Sequence, residues 1–309
     1  MAQDVESPIA LGATDVRVSP MGVGTNSWGN RTGLDHDKHA TFATLLDAGI
    51  TFFDTAEIYQ GTASERTIGE CLRVARRTPT VLTKFFPFPW RLSRGRMAPA
   101  LRRSLSRLQV LSVDVYILHF PWPPVSLETW ADALADQVKA GLTRAVGVSN
   151  CDADQVRRAH AALQARGVPL ACNDVQLSLL RPGAVRGGLL ETCRELGVTL
   201  IAYRPLAQGM LTGKYDAEHP PRGPRAALYR KGALEKMQPL VESLRRIGTA
   251  RGRTPGQVAL NWVICKGALP IPGAKDPTQA RENAGAMGWR LSPAEIEALE
   301  TAAAPVWPR

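Results

Sequence analysis

The chain has 309 residues, of which 44% are hydrophobic, and a formal net charge of +10. This composition excludes disordered and fibrous proteins, and a chain of this length can bury a large core. No uncharged apolar run reaches the ~20 residues that span a bilayer. Residues 1–20 also lack the basic cluster and apolar core of a targeting peptide. We therefore expect a soluble cytoplasmic protein with no membrane partner.

The positive charge raises the possibility of nucleic-acid binding. The arginines are scattered, however, on what are predicted to be solvent faces of helices, and aromatic residues are not interleaved with them. We therefore expect a solvated basic surface and no nucleic-acid partner. The sequence does not indicate an oligomeric state, and a monomer is the default. The 5 cysteines are odd in number and include no CxxC pair, which predicts reduced thiols in the core.

Short apolar runs recur about every thirty residues along the chain. They are mostly continuous rather than alternating, which is typical of parallel strands that are buried on both faces. The eight runs begin near Met21, Thr51, Val81, Asp114, Ala145, Cys172, Thr199 and Leu269.

Amphipathic helical patterns fill the gaps between these runs, as at Leu101, Leu105 and Leu108. Eight strands alternating with helices predict an α/β fold, a (β/α)8 TIM barrel, that forms a single domain over residues 1–309. Residues 8–18 predict a small hairpin before the first barrel strand. Roughly seventy residues separate the last two strands, which predicts extra helices near the C-terminus and a functional loop. Asp152 and Ser292 are the expected N-caps of two helices.

Four side chains of complementary chemistry follow neighbouring strands. Asp54, Lys84 and His119 end the second, third and fourth strands, and Tyr59 lies shortly after Asp54. Reactive groups of such barrels gather at the carboxyl ends of the strands. Each residue alone is more often structural, but together they suit delivery of a hydride to a carbonyl group, which needs a positioned acid. We expect Lys84 to lower the pKa of Tyr59, Asp54 to hold Lys84, and His119 to hydrogen-bond the substrate oxygen.

Longer motifs carry a resemblance to a known family. The stretch FFDTAEIYQGTASERTIGE at 52–70 resembles the aldo-keto reductase signature, and VLTK at 81–84 and DVYILHF at 114–120 match the strands with the catalytic Lys and His. The resemblance continues through 141–150, 173–176, 203–215 and 271–286. It is strongest to the plant and cyanobacterial branch that includes pyridoxal reductases. It implies reduction of aldehydes or ketones with NADPH, with Tyr59 as the general acid and no metal.

The resemblance also implies a cofactor site across the barrel mouth, beside Asp54. The nicotinamide ribose would lie near Thr25 and Asn26, and the nicotinamide would contact Ser149, Asn150 and Gln176 and stack on Tyr203. The remaining residues implied for the phosphates and the adenosine are Arg204, Pro205, Leu206, Gly209, Leu211, Lys214, Arg225, Gly273, Lys275, Gln279, Glu282 and Asn283. Lys275 favours NADPH over NADH. In the family a serine usually stands at Arg204, and many members place the basic residue elsewhere than Lys275.

Aromatic residues cluster in the loops that follow the first, third and fourth strands. They are expected to wall the substrate pocket and to suit a flat or aromatic carbonyl compound; the alternative is that they only pack the loops. The residues predicted to bind substrate are Trp28, Phe85, Trp90, Phe120 and Trp122.

Three other functions fit the sequence less well. A Rossmann dehydrogenase is disfavoured because GVGTNSWG at 22–29 has Ser27 at its third glycine position and no helix pattern starts there. A barrel metallohydrolase is disfavoured because no HxH pair ends a strand. Potassium-channel β-subunits, a branch of the same family, bind NADPH as redox-sensing accessory proteins with little turnover. His119 favours an enzyme, since those subunits have Asn there.

Overall fold

The computed structural model describes residues 7–29, 38–223, 226 and 229–307. Strands β1 (Ile9–Ala10) and β2 (Arg17–Val18) form an antiparallel hairpin. The other strands form one eight-stranded sheet, in chain order and with each neighbouring pair parallel. They are β3 (Val23–Gly24), β4 (Phe52–Asp54), β5 (Thr80–Phe85), β6 (Val113–Leu118), β7 (Thr143–Ser149), β8 (Leu170–Gln176), β9 (Thr199–Tyr203) and β10 (Leu269–Ile271).

Hydrogen bonds between the first and last strands of the sheet close it into a barrel. The amides of Gly22 and Gly24 donate to the carbonyl oxygens of Pro270 and Pro272, each over 3.0 Å. The predicted (β/α)8 barrel with its preceding hairpin is confirmed. None of the helices in the described ranges is long and apolar enough to cross a membrane.

Helices surround the barrel. They are α1 (Lys38–Asp47), α2 (Ala63–Val74), α3 (Met97–Leu108), α4 (Leu127–Lys139), α5 (Ala153–Gln164), α6 (Gly183–Arg186), α7 (Leu189–Glu195), α8 (Lys231–Arg251), α9 (Pro255–Cys265), α10 (Pro277–Ala284) and α11 (Pro293–Ala303). The long segment between β9 and β10 contains α8 and α9, as expected. Both predicted N-caps are confirmed: Asp152 caps α5 and Ser292 caps α11, each in a capping box.

Side chains alternate along each strand between the barrel interior and the helix layer. Leu82 belongs to the inner cluster, whereas Val81 and Phe85 belong to the outer one. The hairpin plugs the end of the barrel at which the strands begin, because Leu11, Val16 and Val18 pack into the inner cluster. The opposite end, at which the strands finish, therefore remains for a site.

The plug fits closely against the barrel. Gly12, at the hairpin turn, has a φ of +59°, and its amide donates to Oγ1 of Thr199 over 2.7 Å. A Cβ atom at this position would lie 2.4 Å from the carbonyl oxygen of Ala171, so only glycine can occupy it.

Candidate active site

The four side chains expected to act together share one pocket at the carboxyl ends of the strands. Lys84 is fully buried, and its ammonium contacts the carboxylate of Asp54 and donates to the carbonyl oxygen of Thr55 over 3.1 Å. Its Nζ lies 5.1 Å from the centre of the Tyr59 ring. The Tyr59 ring and the His119 imidazole are arranged edge to face, with centroids 5.9 Å apart.

A second carboxylate, which sequence reasoning missed, faces the same ammonium. Oδ2 of Asp174, on β8, lies 3.5 Å from Nζ of Lys84, and Asp174 is buried. A signal was available in the sequence, because side chains two apart on a strand share a face. Asp174 lies two residues before Gln176, which the sequence predicts at the barrel mouth.

Lys84 acts to lower the pKa of Tyr59, as expected, but the net pKa does not fall below its usual value. Burial raises the pKa of Tyr59 well above that value; Lys84 opposes the shift, but the carboxylates of Asp54 and Asp174 add to it. The main physical reason is that burial disfavours the charged phenolate, and in addition the one positive charge of Lys84 is shared with two carboxylates. Tyr59 therefore carries its proton at neutral pH.

Lys84 and His119, the two nitrogen bases of the pocket, differ in charge: one is positive and the other is neutral. Burial would lower the pKa of Lys84, but Asp54, Tyr59 and Asp174 raise it above its usual value, so it remains an ammonium. Burial, and then Lys84, lowers the pKa of His119 to about 3, so its imidazole is neutral. Nδ1 of His119 is buried and has no hydrogen-bond partner among the described residues.

Thr25 and Asn26 lie beside this pocket at the end of β3. Thr25 is fully buried, and its hydroxyl donates to the carbonyl oxygen of Asp54 over 2.8 Å. It therefore supports the end of β4 and presents no surface to a ribose, which corrects its expected role. Asn26 is exposed, and its carbonyl oxygen accepts a hydrogen bond from Gln60.

The residues expected at the nicotinamide end β7, β8 and β9. Oγ of Ser149 donates to the carbonyl oxygen of Asp174 over 2.8 Å, and Nδ2 of Asn150 donates to Oγ of Ser149 and to the carbonyl oxygen of His119. Gln176 and Tyr203 are paired in register on adjacent strands, so both point to the same face, and both are half-buried. Of these groups, Asn150 contacts the backbone of His119 directly, and Ser149 contacts Asn150.

The loop after β9 contains several residues in the left-handed region of backbone conformation. Arg204 has a φ of +52° and is exposed, and Gly209 has a φ of +95°. Pro205 and Leu211 are buried and Leu206 half-buried, so their side chains pack beneath the loop.

Two basic residues that follow this loop were expected to bind phosphate. Lys214 is exposed and lies beside Gly209, where an added Cβ would be 3.2 Å from its Cε. Arg225, which the resemblance also implied for phosphate binding, lies outside the described residues.

The segment after β10 brings together the residues expected at the adenosine phosphate. Nδ2 of Asn283 donates to the carbonyl oxygen of Gly273 over 3.2 Å, and the amide of Lys275 donates to Oε1 of Gln279 over 3.1 Å. Glu282 is exposed and accepts a hydrogen bond from Thr254. Asp276 caps α10 through the amide of Gln279, so one amide of this helix N-terminus is already occupied.

Aromatic rings form a rim next to His119. The ring of Phe120 stacks on the imidazole at 4.9 Å and 8°, and Trp122 stacks on Phe120 at 4.5 Å. Phe86 meets Trp122 edge-on at 5.2 Å. Trp90 stacks on Phe88 farther out and is 71% exposed. Of the rings expected to bind substrate, Trp90, Phe120 and Trp122 are thus accessible at the mouth or beside it.

Two of the expected substrate-binding residues lie elsewhere. Trp28 is fully buried, and its indole nitrogen donates to the carbonyl oxygen of Ala274 over 2.8 Å, beneath the loop after β10. Phe85 is also fully buried, and its ring lies 5.2 Å from that of Trp130 on α4. Because Lys84 points into the barrel, the next side chain must point outward to the helices. Both rings stabilise the core and do not face the pocket.

Comparison with known proteins agrees with the barrel fold and indicates that the chain is an oxidoreductase. The sequence model described as "Aldo/keto reductase family" matches residues 20–304, and the chain belongs to this family.

Individual relatives cover most of the chain. It is 42% identical over 307 residues to a protein of Arabidopsis thaliana named "Pyridoxal reductase, chloroplastic", covering 93% of this chain and 83% of the relative. It is 32% identical to an aldo-keto reductase of Schizosaccharomyces pombe whose name specifies NADP(+), covering 86% and 82%. A solved aldo/keto reductase of Klebsiella pneumoniae, in complex with NADP and acetate, superimposes with a TM-score of 0.75 at 26% identity, covering 97% of each chain.

Proposed function

We propose that the protein reduces aldehydes or ketones to alcohols with NADPH, and that Tyr59 donates the proton. The observation that carries this proposal is the buried contact of Lys84 with Asp54 directly beside Tyr59 and His119. A protonated phenol, a permanent ammonium and a neutral imidazole are the groups that a developing alkoxide requires.

The pocket fits a nicotinamide cofactor. Buried polar atoms without partners among the described residues, Nδ1 of His119 and Oδ1 of Asp174, show that the pocket has unused hydrogen-bonding capacity. Ser149, Asn150 and Gln176 offer hydroxyl and amide groups, which match the donors and acceptors of a carboxamide. Tyr203 offers a ring face. When bound, the cofactor supplies the hydride.

The chain's own residues orient the carbonyl group and transfer the proton. His119 hydrogen-bonds the carbonyl oxygen and orients it towards Tyr59. Tyr59 releases its proton to that oxygen, and Lys84 stabilises the phenolate that remains. Asp54 holds Lys84 in place through the contact described above, and Thr25 in turn supports the end of β4.

The preference for the phosphorylated dinucleotide rests on basic residues near the mouth. Arg204 and Lys214 are exposed in and after the loop that follows β9, and Lys275 lies in the segment that leads into α10. Ammonium and guanidinium groups bind phosphate by charge-assisted hydrogen bonds. The NADP(+) in the name of the Schizosaccharomyces pombe relative supports the same choice.

The aromatic rim supports a flat aromatic carbonyl compound as substrate, and pyridoxal is the specific candidate. Phe120 and Trp122 continue the stack that begins at the His119 imidazole, so a planar ring can lie on the same side as the proposed oxygen-binding group. The name of the Arabidopsis thaliana relative adds independent support.

The test is steady-state oxidation of NADPH with pyridoxal and a panel of aromatic and aliphatic aldehydes, for the wild type and Tyr59→Phe. The variant should lose a factor of roughly 10² to 10⁴ in kcat, the usual worth of a positioned acid. It should bind NADPH as the wild type does. Tyr116→Phe is the matched control, because Tyr116 is fully buried in the outer cluster on β6.

Two results would contradict the proposal. Normal turnover by Tyr59→Phe would remove Tyr59 from its role as the acid. Tight binding of NADPH by the wild type without turnover of any carbonyl compound would favour a redox-sensing accessory protein such as the channel β-subunits.

A further inference from the structure

One buried ammonium, that of Lys84, stands between two buried carboxylates. Asp54 reaches it from the neighbouring strand β4 and Asp174 from β8, with Oδ2 of Asp174 3.5 Å from Nζ of Lys84. Strand β8 is separated from β5 by β6 and β7, so Asp174 reaches Lys84 through the barrel interior. The cluster holds more negative than positive charge whenever both carboxyl groups are ionised.

A purely structural role does not account for Asp174. A buried carboxylate that only stabilises a fold is normally satisfied on both oxygens, because an unpartnered polar atom costs free energy. Oδ1 of Asp174 is buried and has no hydrogen-bond partner among the described residues. By contrast, the structural carboxylate Glu65 accepts hydrogen bonds on both oxygens, from Thr83 and Arg107.

We propose that Asp174 is a positioning residue of the active site, which shares the ammonium of Lys84 with Asp54 and so limits how strongly Lys84 stabilises the phenolate of Tyr59. This inference rests on the proposed reductase function. Its consequence is that Tyr59 keeps its proton, and remains a usable acid, as the solution becomes more alkaline.

The titratable groups around Asp174 support this arrangement. Burial raises the pKa of Asp174 to about 7, while Lys84 opposes that shift and Asp54 adds to it. Asp174 in turn raises the pKa of Tyr59. Ser149 of β7, which faces the same region, does not titrate. The titratable side chains that interact with Asp174 are Asp54, Tyr59, Lys84, Cys172 and Tyr203.

The sign of the effect follows from these charges. Above about pH 7 Asp174 is ionised and offsets part of the charge of Lys84, so the pKa of Tyr59 is raised further. Removing the negative charge leaves Lys84 freer to stabilise the phenolate, so the pKa of Tyr59 falls. The rate of carbonyl reduction, which needs the protonated phenol, then begins to fall at a lower pH than in the wild type. The rate of alcohol oxidation, which needs the phenolate, begins to rise at a lower pH than in the wild type.

The experiment compares the wild type with Asp174→Asn, which keeps the shape of the side chain and removes its charge. In the pH profile of kcat/KM for reduction, the alkaline limb should move down by about one pH unit or more, as expected for a charge lost near the ionising group. Asp174→Glu, which keeps the charge, should stay close to the wild-type profile. Asp114→Asn, at the start of β6 and paired with Arg144, is the control and should not shift the limb.

A second readout does not need turnover. The phenolate of Tyr59 can be followed by near-ultraviolet absorbance in an alkaline titration, with the Tyr59→Phe variant subtracted. Its ionisation should begin at a lower pH in Asp174→Asn than in the wild type. If the Asn variant fails to fold, Asp174→Ser serves as the neutral replacement in the same titration.

The outcomes separate the two proposals. If the wild type turns over no carbonyl compound, the proposed function fails, yet the absorbance titration still tests Asp174. If the neutral variants and the wild type lose the Tyr59 proton at the same pH, or if the Glu variant shifts as far as the Asn variant, the role of Asp174 is overturned.

Discussion

The hydroxyl of Tyr203 donates a hydrogen bond to Oδ1 of Asn150 over 2.9 Å. This contact joins the end of β9 to the residue after β7, across the intervening strand β8. Nδ2 of Asn150 in turn donates to the carbonyl oxygen of His119 over 3.1 Å. Tyr203 therefore has a second role besides offering its ring for stacking. Its hydroxyl helps to hold the side-chain amide of Asn150, which also binds the backbone of His119.

Two substitutions of Tyr203 separate the ring from the hydroxyl. Tyr203→Phe keeps the ring and removes one hydrogen bond, so the Kd for NADPH should rise by about two- to tenfold. Tyr203→Ala removes the ring as well and should weaken binding by a further factor of ten or so. Titration of protein fluorescence with NADPH measures both. Equal losses in the two variants would mean that the ring does not contact the cofactor.

Two aromatic residues of similar sequence context should behave differently when truncated. Trp122→Ala removes an accessible ring of the rim, so KM for aromatic aldehydes should rise severalfold while the free energy of unfolding changes little. Phe85→Ala opens a cavity against Trp130 and should lower the free energy of unfolding by roughly 3–5 kcal/mol, with KM nearly unchanged. Denaturant unfolding and steady-state kinetics on both variants check this. A raised KM in Phe85→Ala alone would contradict the assignment.

Lys275 should distinguish the phosphorylated from the unphosphorylated cofactor. Lys275→Met removes a charge but keeps a flexible side chain, so KM for NADPH should rise roughly tenfold or more while KM for NADH stays nearly constant. Kinetics with both cofactors and one aldehyde provide the measurement. Lys139→Met, in the last turn of α4 on the outer layer, is a suitable control. Equal effects on the two cofactors would place the 2′-phosphate elsewhere.

The C-terminal helix α11 offers a pH-dependent test of stability. Glu295 accepts two hydrogen bonds from Arg251, and these, together with the Ser292 capping box, lower the pKa of Glu295 to about 2. A carboxyl group whose pKa is lowered on folding stabilises the fold above its unfolded pKa, and this stabilisation is lost as the pH falls towards the folded value. The pair is partly exposed, so its contribution at neutral pH is below about 1 kcal/mol.

Glu295→Gln should reveal this contribution, because the amide can still accept the capping hydrogen bond. The variant should unfold at slightly lower urea concentration at neutral pH, and the difference should narrow as the pH falls below about 4. Ser292→Ala, which removes the cap itself, should cost about 1 kcal/mol at neutral pH, and part of this cost should disappear in acid because the Ser292 side chain also lowers the pKa of Glu295. A difference for Glu295→Gln that persists unchanged in acid would contradict the ion-pair explanation.

Local patterns in the chain predicted most of the architecture. Apolar runs of strand length located every barrel strand, and the side chains that follow those runs, such as Asp54 and His119, were expected at one end of the barrel. Such features depend on neighbours in the chain: the capping box at Ser292 involves residues three apart, and strand position follows from a continuous apolar run.

The missed and corrected assignments concern the direction in which a side chain points and the sum of the charges around it. Neither can be read from a local sequence pattern. Phe85 follows Lys84 directly, but which of the two enters the barrel depends on which face of β5 meets the inner cluster. The aromatic residues in and after the end of β5 predict that Phe85 lies at the mouth. Strand alternation instead directs the Phe85 ring towards Trp130.

The sequence by itself thus determined the barrel, its order of strands and the four side chains that end at its mouth, because each follows from short-range periodicity and from the parallel arrangement of the strands. The tertiary structure alone decided that Asp174 joins Asp54 at Lys84 and that Tyr59 retains its proton. Electrostatic energy depends on distances through space and on burial, and residues far apart in the chain acquire both only when the barrel closes.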